Sequence, residues 1–365
     1  MNRRDFIRIA GAGAAAFAAG NALMAAGKKA DINSKNLPKL RGFNLLNKFD
    51  HRNQTPFDER DFEMIKSWGF NCVRLPLSYW CWSSEADWFS MDEKILKEID
   101  AAVEFGKQYG IHVNINFHRA PGYRVNEDWE IKLTSNLFED EAPLEACAFQ
   151  WKKFAERYKG IPNGNVSFNL VNEPGDVSPE KYEKFARRVI SEIRSVDPNR
   201  MVFLDGLKWG NLPLENIAGM GNIVQCSRGY GPMLISHCGA TWAGDFLRDF
   251  PPEKLSWPLK TDWGEEYSKE SLRQDYAKNW DAWEKTGNAA MVGEMGCYNK
   301  TPHKIALAWL GDLFDIYKER NWGWCLWNLH GAFGILNSGR QDVKYEKTKD
   351  GALLDRKMLE LLLKS

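Results

Sequence analysis

The chain has no Cys-x-x-Cys pair, no G-x-G-x-x-G stretch and no net charge. Past its N-terminal segment it also has no apolar run near the ~18 residues that a membrane span needs. Each absence removes a class of function. Without paired cysteines, and with six scattered histidines, a zinc site or other metal centre is not expected. The balance of 49 basic against 49 acidic residues argues against nucleic acid or an anionic membrane surface as a partner. The missing Gly-rich fingerprint counts against a doubly wound, dinucleotide-binding sheet, so no cofactor is expected. No Ser-His-Asp arrangement is readable from the spacing.

What is present in excess is aromatic: 16 Trp, 20 Phe and 11 Tyr. More than half of the tryptophans are expected in the core. The surplus suits a protein that handles sugars, because flat aromatic faces stack on the apolar faces of sugar rings. Of the seven cysteines, Cys72, Cys226 and Cys325 fall in or beside predicted strands and Cys297 just after one. They are expected to be mostly free, buried thiols. Residues 1–30 read as an address rather than fold. Arg3-Arg4 precede a weakly apolar Ala/Gly run, the pattern of a twin-arginine export signal, with Asn2 where Ser or Thr is usual. The mature chain is expected to start between Ala26 and Asp31. A periplasmic or secreted location follows, with no stable membrane insertion once the signal is removed.

From residue 31 onward the pattern repeats as strand, loop, helix. Strands are expected at 39–45, 70–74 (closed by Pro76), 111–117, 166–171, 201–204, 222–226, 289–292 and 322–327. Helices are expected at 59–68, 91–110, 143–158, 179–196, 268–285, 302–320 and 355–363, with a doubtful one between the fifth and sixth strands. This alternation predicts a single (β/α)8 barrel domain over 31–365, α/β in class and monomeric, with an open doubly wound sheet as the alternative.

In such a barrel, chemistry sits at the C-terminal ends of the strands. Arg74 stands after strand two, His118 after strand three, Asn172 and Glu173 after strand four, Glu294 after strand seven and Trp327 at the end of strand eight. Two carboxyls facing each other across one mouth meet the requirement for glycosidic bond cleavage: one donates a proton to the leaving oxygen while the other attacks the anomeric carbon. The plain alternative at 172–175 is a capped strand end followed by a Pro-Gly turn.

In combination, RGFNLLN at 41–47, VRLPLSY at 73–79, FHRAPGY at 117–123, NLVNEPG at 169–175, GYGPMLISHCGATW at 229–242, GEMG at 293–296 and WNLHGAFGILN at 327–337 resemble glycoside hydrolase family 5. The resemblance covers about residues 38–363. It implies that Glu173 is the acid/base and Glu294 the nucleophile of a retaining β-glycosidase. Asn172 would hold the sugar 2-hydroxyl. Arg74 and Tyr230 would hydrogen-bond Glu294, His118 would line the cleavage subsite, and Trp327 would be the floor under the sugar. The implied substrate and partner is a β-1,4-linked glucan or a related plant polysaccharide or oligosaccharide. The alternatives are a mannanase, an exo-acting glucosidase, or a barrel that binds carbohydrate without cleaving it.

One position departs from the pattern. Arg228 stands where the family usually carries His, two residues before Tyr230. Either its side chain swings into the loop, or its charge sits near Glu173, where it would favour loss of the proton or prepare a site for an acidic sugar. Trp80, Trp82, Trp88, Trp129, Trp242, Trp257 and Trp263 lie in loops and read as substrate contacts. His237 and His330 are balanced between touching sugar and bracing a loop, and His51, His112 and His303 read as structural.

Overall fold

The structure, a computed structural model, describes residues 32–125 and 131–365. The export-signal reading at 1–30 and the role expected of Trp129 lie outside the described residues. Eight parallel strands close into a barrel: β1 (Arg41–Asn44), β2 (Cys72–Ser78), β3 (His112–Arg119), β4 (Val166–Asn169), β5 (Val202–Asp205), β6 (Ile223–Gly229), β7 (Ala290–Met295) and β8 (Gly323–Leu326). Each strand pairs with its sequence neighbours, and β1 closes on β8. The (β/α)8 barrel predicted from the strand–helix alternation is therefore the fold.

The outer layer is made by α1 (Glu59–Ser67), α2 (Glu93–Tyr109), α3 (Glu141–Arg157), α4 (Pro179–Val196), α5 (Lys269–Glu284), α6 (His303–Glu319) and α7 (Arg356–Leu363). Their starts and inner faces follow from local sequence. The Ser178 hydroxyl accepts from the Lys181 N–H and Pro179 opens the first turn of α4. That helix then buries Tyr182, Phe185, Ala186, Val189, Ile190 and Ile193 at helical spacing. Between β5 and β6 there is only the turn Leu207–Gly210 and a 3-10 segment, Glu215–Met220.

β2, β3, β5, β6 and β7 all run further at their C-terminal ends than their sequences suggested. β2 passes through Pro76, which pairs in register with Asn116 of β3. Backbone groups alternate sides along a strand, and Arg74 faces β1, as the bond from the Leu45 N–H to its carbonyl shows. Pro76, two residues on, turns its missing N–H toward the same flank, where β1 has already ended at Asn44. β6 continues to Gly229 and so includes Arg228.

Candidate active site

A strand with a period of two sends every second side chain into the barrel. The lower interior is an apolar plug of Leu40, Cys72, Met201, Phe203, Val224, Cys226, Met291 and Cys325. Two residues further along the same strands, the inward positions change character. Cys72 is followed by Arg74, Phe203 by Asp205, and Cys226 by Arg228. The apolar plug thus carries a polar layer on its C-terminal side, and all three of these charged residues are buried.

Glu294 enters that layer by a bulge. On one side Ser227 pairs with Val292 but Arg228 with Glu294. On the other, Trp324 pairs with Val292 but Leu326 with Met295. Strand β7 therefore holds one extra residue against both neighbours, and a bulge re-aims the side chain that follows it. Gly293 sits in the bulge because space there is short. A Cβ at this position would lie 2.8 Å from the Arg228 guanidinium and 3.2 Å from the Cys226 Cβ.

Three donors converge on Glu294. Arg74 donates to its Oε1 at 2.6 Å, Arg228 to the same atom at 3.3 Å, and the Tyr230 hydroxyl to its Oε2 at 3.2 Å. Arg74 is itself fixed by Asn44, Asn169 and Asn172 at 2.8–3.0 Å. Glu173 is treated differently. Its carboxyl takes one strong bond, from Arg228 Nε at 2.6 Å, and its side chain is 14% exposed. Burial, and next the charge of Glu294, push its pKa up to about 7, while Arg228 pulls the other way.

The backbone of Glu173 is left-handed, with φ of 43°, a region that non-glycine residues enter at a cost. Two bonds hold it there: its N–H donates to Asp205 Oδ2 at 2.9 Å, and its carbonyl accepts from the Tyr123 hydroxyl at 2.6 Å. The side-chain oxygen of Asn172 accepts from both Arg74 and Arg228, at 2.8 and 2.9 Å. Its amide Nδ2 is buried and has no partner among the described residues. His118 stacks on Trp327 at 5.5 Å between ring centroids and lies 4.0 Å from Glu294. Burial first, then Arg119, Arg74 and Arg228, hold His118 well below its ordinary range, so it is neutral near pH 7.

The residues expected at the strand ends, with Arg228 and Tyr230, thus gather at one mouth: Arg74, His118, Asn172, Glu173, Arg228, Tyr230, Glu294 and Trp327. Arg228 does not swing into the loop. Its Nε bonds Glu173, its Nη2 reaches Asn172, Asp205 and Glu294, and its Nη1 reaches the Ser227 carbonyl, so its charge sits beside Glu173. Asp205 was missed. Its position two residues after an apolar inward residue was the available signal, but the fifth strand was ended one residue short of it. Trp209 was also missed. It is half exposed on the left-handed turn after β5, and its ring lies against Gly175. It helps line a cavity of about 380 Å³ with Tyr123, Phe138, Gly175 and Val177, whose walls do not include either glutamate.

Some loop aromatics belong to the core instead. Trp82 is buried against Phe117 and Phe154 and donates to Gln150, and Trp80 is buried with its indole N–H on Glu85. A helical turn after β2 folds them inward, which loop position alone does not reveal. Trp88 and Trp257 are partly buried against the core, while Trp242 and Trp263 are about half exposed. His237 braces its loop through Ser236, and His330 is held by Asp61. Among the described residues, no group of His, Cys, Asp and Glu is arranged to hold a metal ion.

The family model Cellulase (glycosyl hydrolase family 5) matches residues 29–333. Endoglucanase C of Acetivibrio thermocellus is 27% identical over 312 residues, spanning 79% of this chain and 88% of its own length. Cellodextrinase A of Ruminococcus flavefaciens is 26% identical over 270 residues, spanning 72% of this chain and 75% of its own. A solved glycoside hydrolase superposes with a TM-score of 0.82 at 35% identity, covering 89% of this chain and 99% of that one. Thermotoga maritima Cel5A, solved with cellobiose, superposes with a TM-score of 0.72 at 21% identity, covering 91% and 99%.

Proposed function

Because this chain belongs to glycosyl hydrolase family 5, we propose that it is a retaining β-glycoside hydrolase, endoglucanase-like, acting on β-1,4-linked glucan chains or their oligosaccharides. Glu173 is the acid/base and Glu294 the nucleophile. The observation that carries this reading is the unequal treatment of two carboxyls reached by a single guanidinium. Glu294 accepts from Arg74, Arg228 and Tyr230, which aims it as an attacking carboxylate. Glu173 is pushed up to about 7, the property a proton donor needs near neutrality.

In the first step Glu173 protonates the glycosidic oxygen while Glu294 attacks the anomeric carbon, giving a glycosyl-enzyme and a free leaving sugar. In the second, Glu173 takes a proton from water as that water cleaves the intermediate. The unpartnered Nδ2 of Asn172 is placed to donate to the sugar 2-hydroxyl, a bond that strengthens in the transition state. Trp327, with His118 stacked on it, supplies an apolar floor.

NMR of the first anomer released from a cellooligosaccharide tests the mechanism. Retention is expected, as for carboxyls about 5 Å apart; inversion would overturn it. The binding-barrel alternative predicts equal and negligible chromophore release from aryl β-cellobiosides by wild type and by Glu294→Gln. Export to the periplasm or beyond, through the segment at 1–30, is part of the same proposal.

A further inference from the structure

We propose that Asp205 is a positioning residue of this site: it neutralises Arg228 and pins the main chain of Glu173, so that the guanidinium aims the acid/base carboxyl without taking over its charge balance. The inference rests on the reading of Glu173 as acid/base and goes beyond it.

The geometry makes Asp205 the hub of the buried layer. It is fully buried at the end of β5. Oδ1 accepts from Asn169 Nδ2 at 3.0 Å. Oδ2 accepts from the Glu173 N–H at 2.9 Å and from Arg228 Nη2, with Arg74 Nη2 at 3.5 Å. Its own carbonyl takes the Tyr182 hydroxyl of α4 at 2.8 Å, which ties the strand end to the outer layer. One carboxylate therefore fixes both the strained backbone of Glu173 and the arginine that grips its side chain.

Charge makes the same case. Arg74 and Arg228 bring two positive charges into a layer shut off from water. Glu294 and Asp205 bring two negative ones. With these four ionised the set is neutral, and Glu173 is the member free to hold a proton or give it up. Without Asp205, the uncompensated Arg228 at 2.6 Å would favour the ionised form of Glu173. Without Arg228, the uncompensated Asp205 would favour the protonated form. The groups facing Glu173 are Asp205 from β5, Arg228 from β6, Glu294 from β7, and the hydroxyls of Tyr123 and Tyr230 from the loops after β3 and β6. Arg74 of β2 and His118 of β3 lie one contact further away, on Glu294.

The test reads the Glu173 carboxyl directly, by 13C NMR titration of protein labelled at Glu, with the resonance assigned from its loss in Glu173→Gln. In Asp205→Asn the midpoint falls by about one unit or more, in Arg228→Gln it rises, and in the double variant it returns toward wild type. Shifts of the same sign in both single variants, or no shift in either, would overturn the proposal. A side chain that only filled space would not give opposite signs. Should Asp205→Asn fail to fold, the double variant decides: its midpoint should lie below that of Arg228→Gln alone, and equal midpoints in those two would overturn the proposal. The alkaline limb of kcat/KM on p-nitrophenyl β-cellobioside should move with the titration. A wild type inactive on every β-glycoside would sink the hydrolase reading, while the titration would still judge Asp205.

Discussion

The two ends of the barrel interior are built from the same strands and do opposite things. The lower end is filled mostly by Leu40, Cys72, Met201, Phe203, Val224, Cys226, Met291 and Cys325, with the hydrogen-bonded pair His112 and Ser167 as its buried polar part. The upper end, one inward position higher, holds Arg74, Asp205, Arg228 and Glu294, none of them more than 5% exposed. Burying charge is costly unless partners repay it, so such a layer is a poor device for stability. The lower plug supplies the close packing that lets the upper layer exist. The difference teaches that a single parity rule, two residues per repeat, places both the anchor and the chemistry.

The sharpest way to break the comparison is to exchange the costs of the two ends. In the upper layer, Glu173→Gln should lower kcat by about 10² to 10⁴ on substrates with poor leaving groups. Glu294→Gln should lower it further, and both should unfold near the wild-type temperature. In the plug, Phe203→Ala should cost about 3–5 kcal/mol in denaturant unfolding while the folded fraction keeps its kcat. A plug substitution that lost rate but not stability would erase the distinction.

Gly293→Ala probes the boundary between the two. Its new Cβ would press on Arg228 from below, so kcat should fall by up to about 10²-fold through misplacement, with roughly 1–3 kcal/mol lost to overpacking. Unchanged kinetics would mean that the guanidinium position matters little.

The smallest effect is a pH dependence. Glu173 stands at about 7 in the fold, raised mainly by burial and then by Glu294, above its ordinary 4.5. The fold therefore favours its protonated form. That contribution is complete below about 4.5 and is lost as pH rises through about 7. Relative to Glu173→Gln, the wild type should lose roughly 1–3 kcal/mol of stability between pH 5 and pH 8, read by denaturant unfolding at each pH. Its kcat/KM should fall in the same window, as the proton donor is spent.

Much of this was legible in the sequence, for identifiable reasons. Apolar runs bounded by Gly, Pro and Asn marked the strands, and residues at their ends marked Arg74, His118, Asn172, Glu173, Glu294 and Trp327. What escaped depended on parity over the last one or two residues of a strand. The sixth strand was ended at Cys226, which left the direction of Arg228 open. Carried two residues on, the inward set Val224 and Cys226 leads to Arg228. Strand β7 could not be read this way, because its bulge breaks the alternation and only the pairing of both neighbours reveals the extra residue. Trp80 and Trp82 were misjudged because a short helical turn, invisible to periodicity, folds their loop into the core.

The seven cysteines have a practical consequence. All are free, and all are buried. Cys72, Cys226 and Cys325 share the barrel plug, while Cys81, Cys147, Cys238 and Cys297 lie on other elements and loops and are hidden by other parts of the structure. A thiol reagent in solution therefore meets no target until the protein opens locally or globally. Mass spectrometry of partly labelled protein would then rank the segments by the order in which they yield, with no reporter group added. The chain carries its own set of unfolding sensors, distributed from the Cys72–Cys325 neighbourhood at the foot of the barrel to Cys238 in the long loop near its mouth.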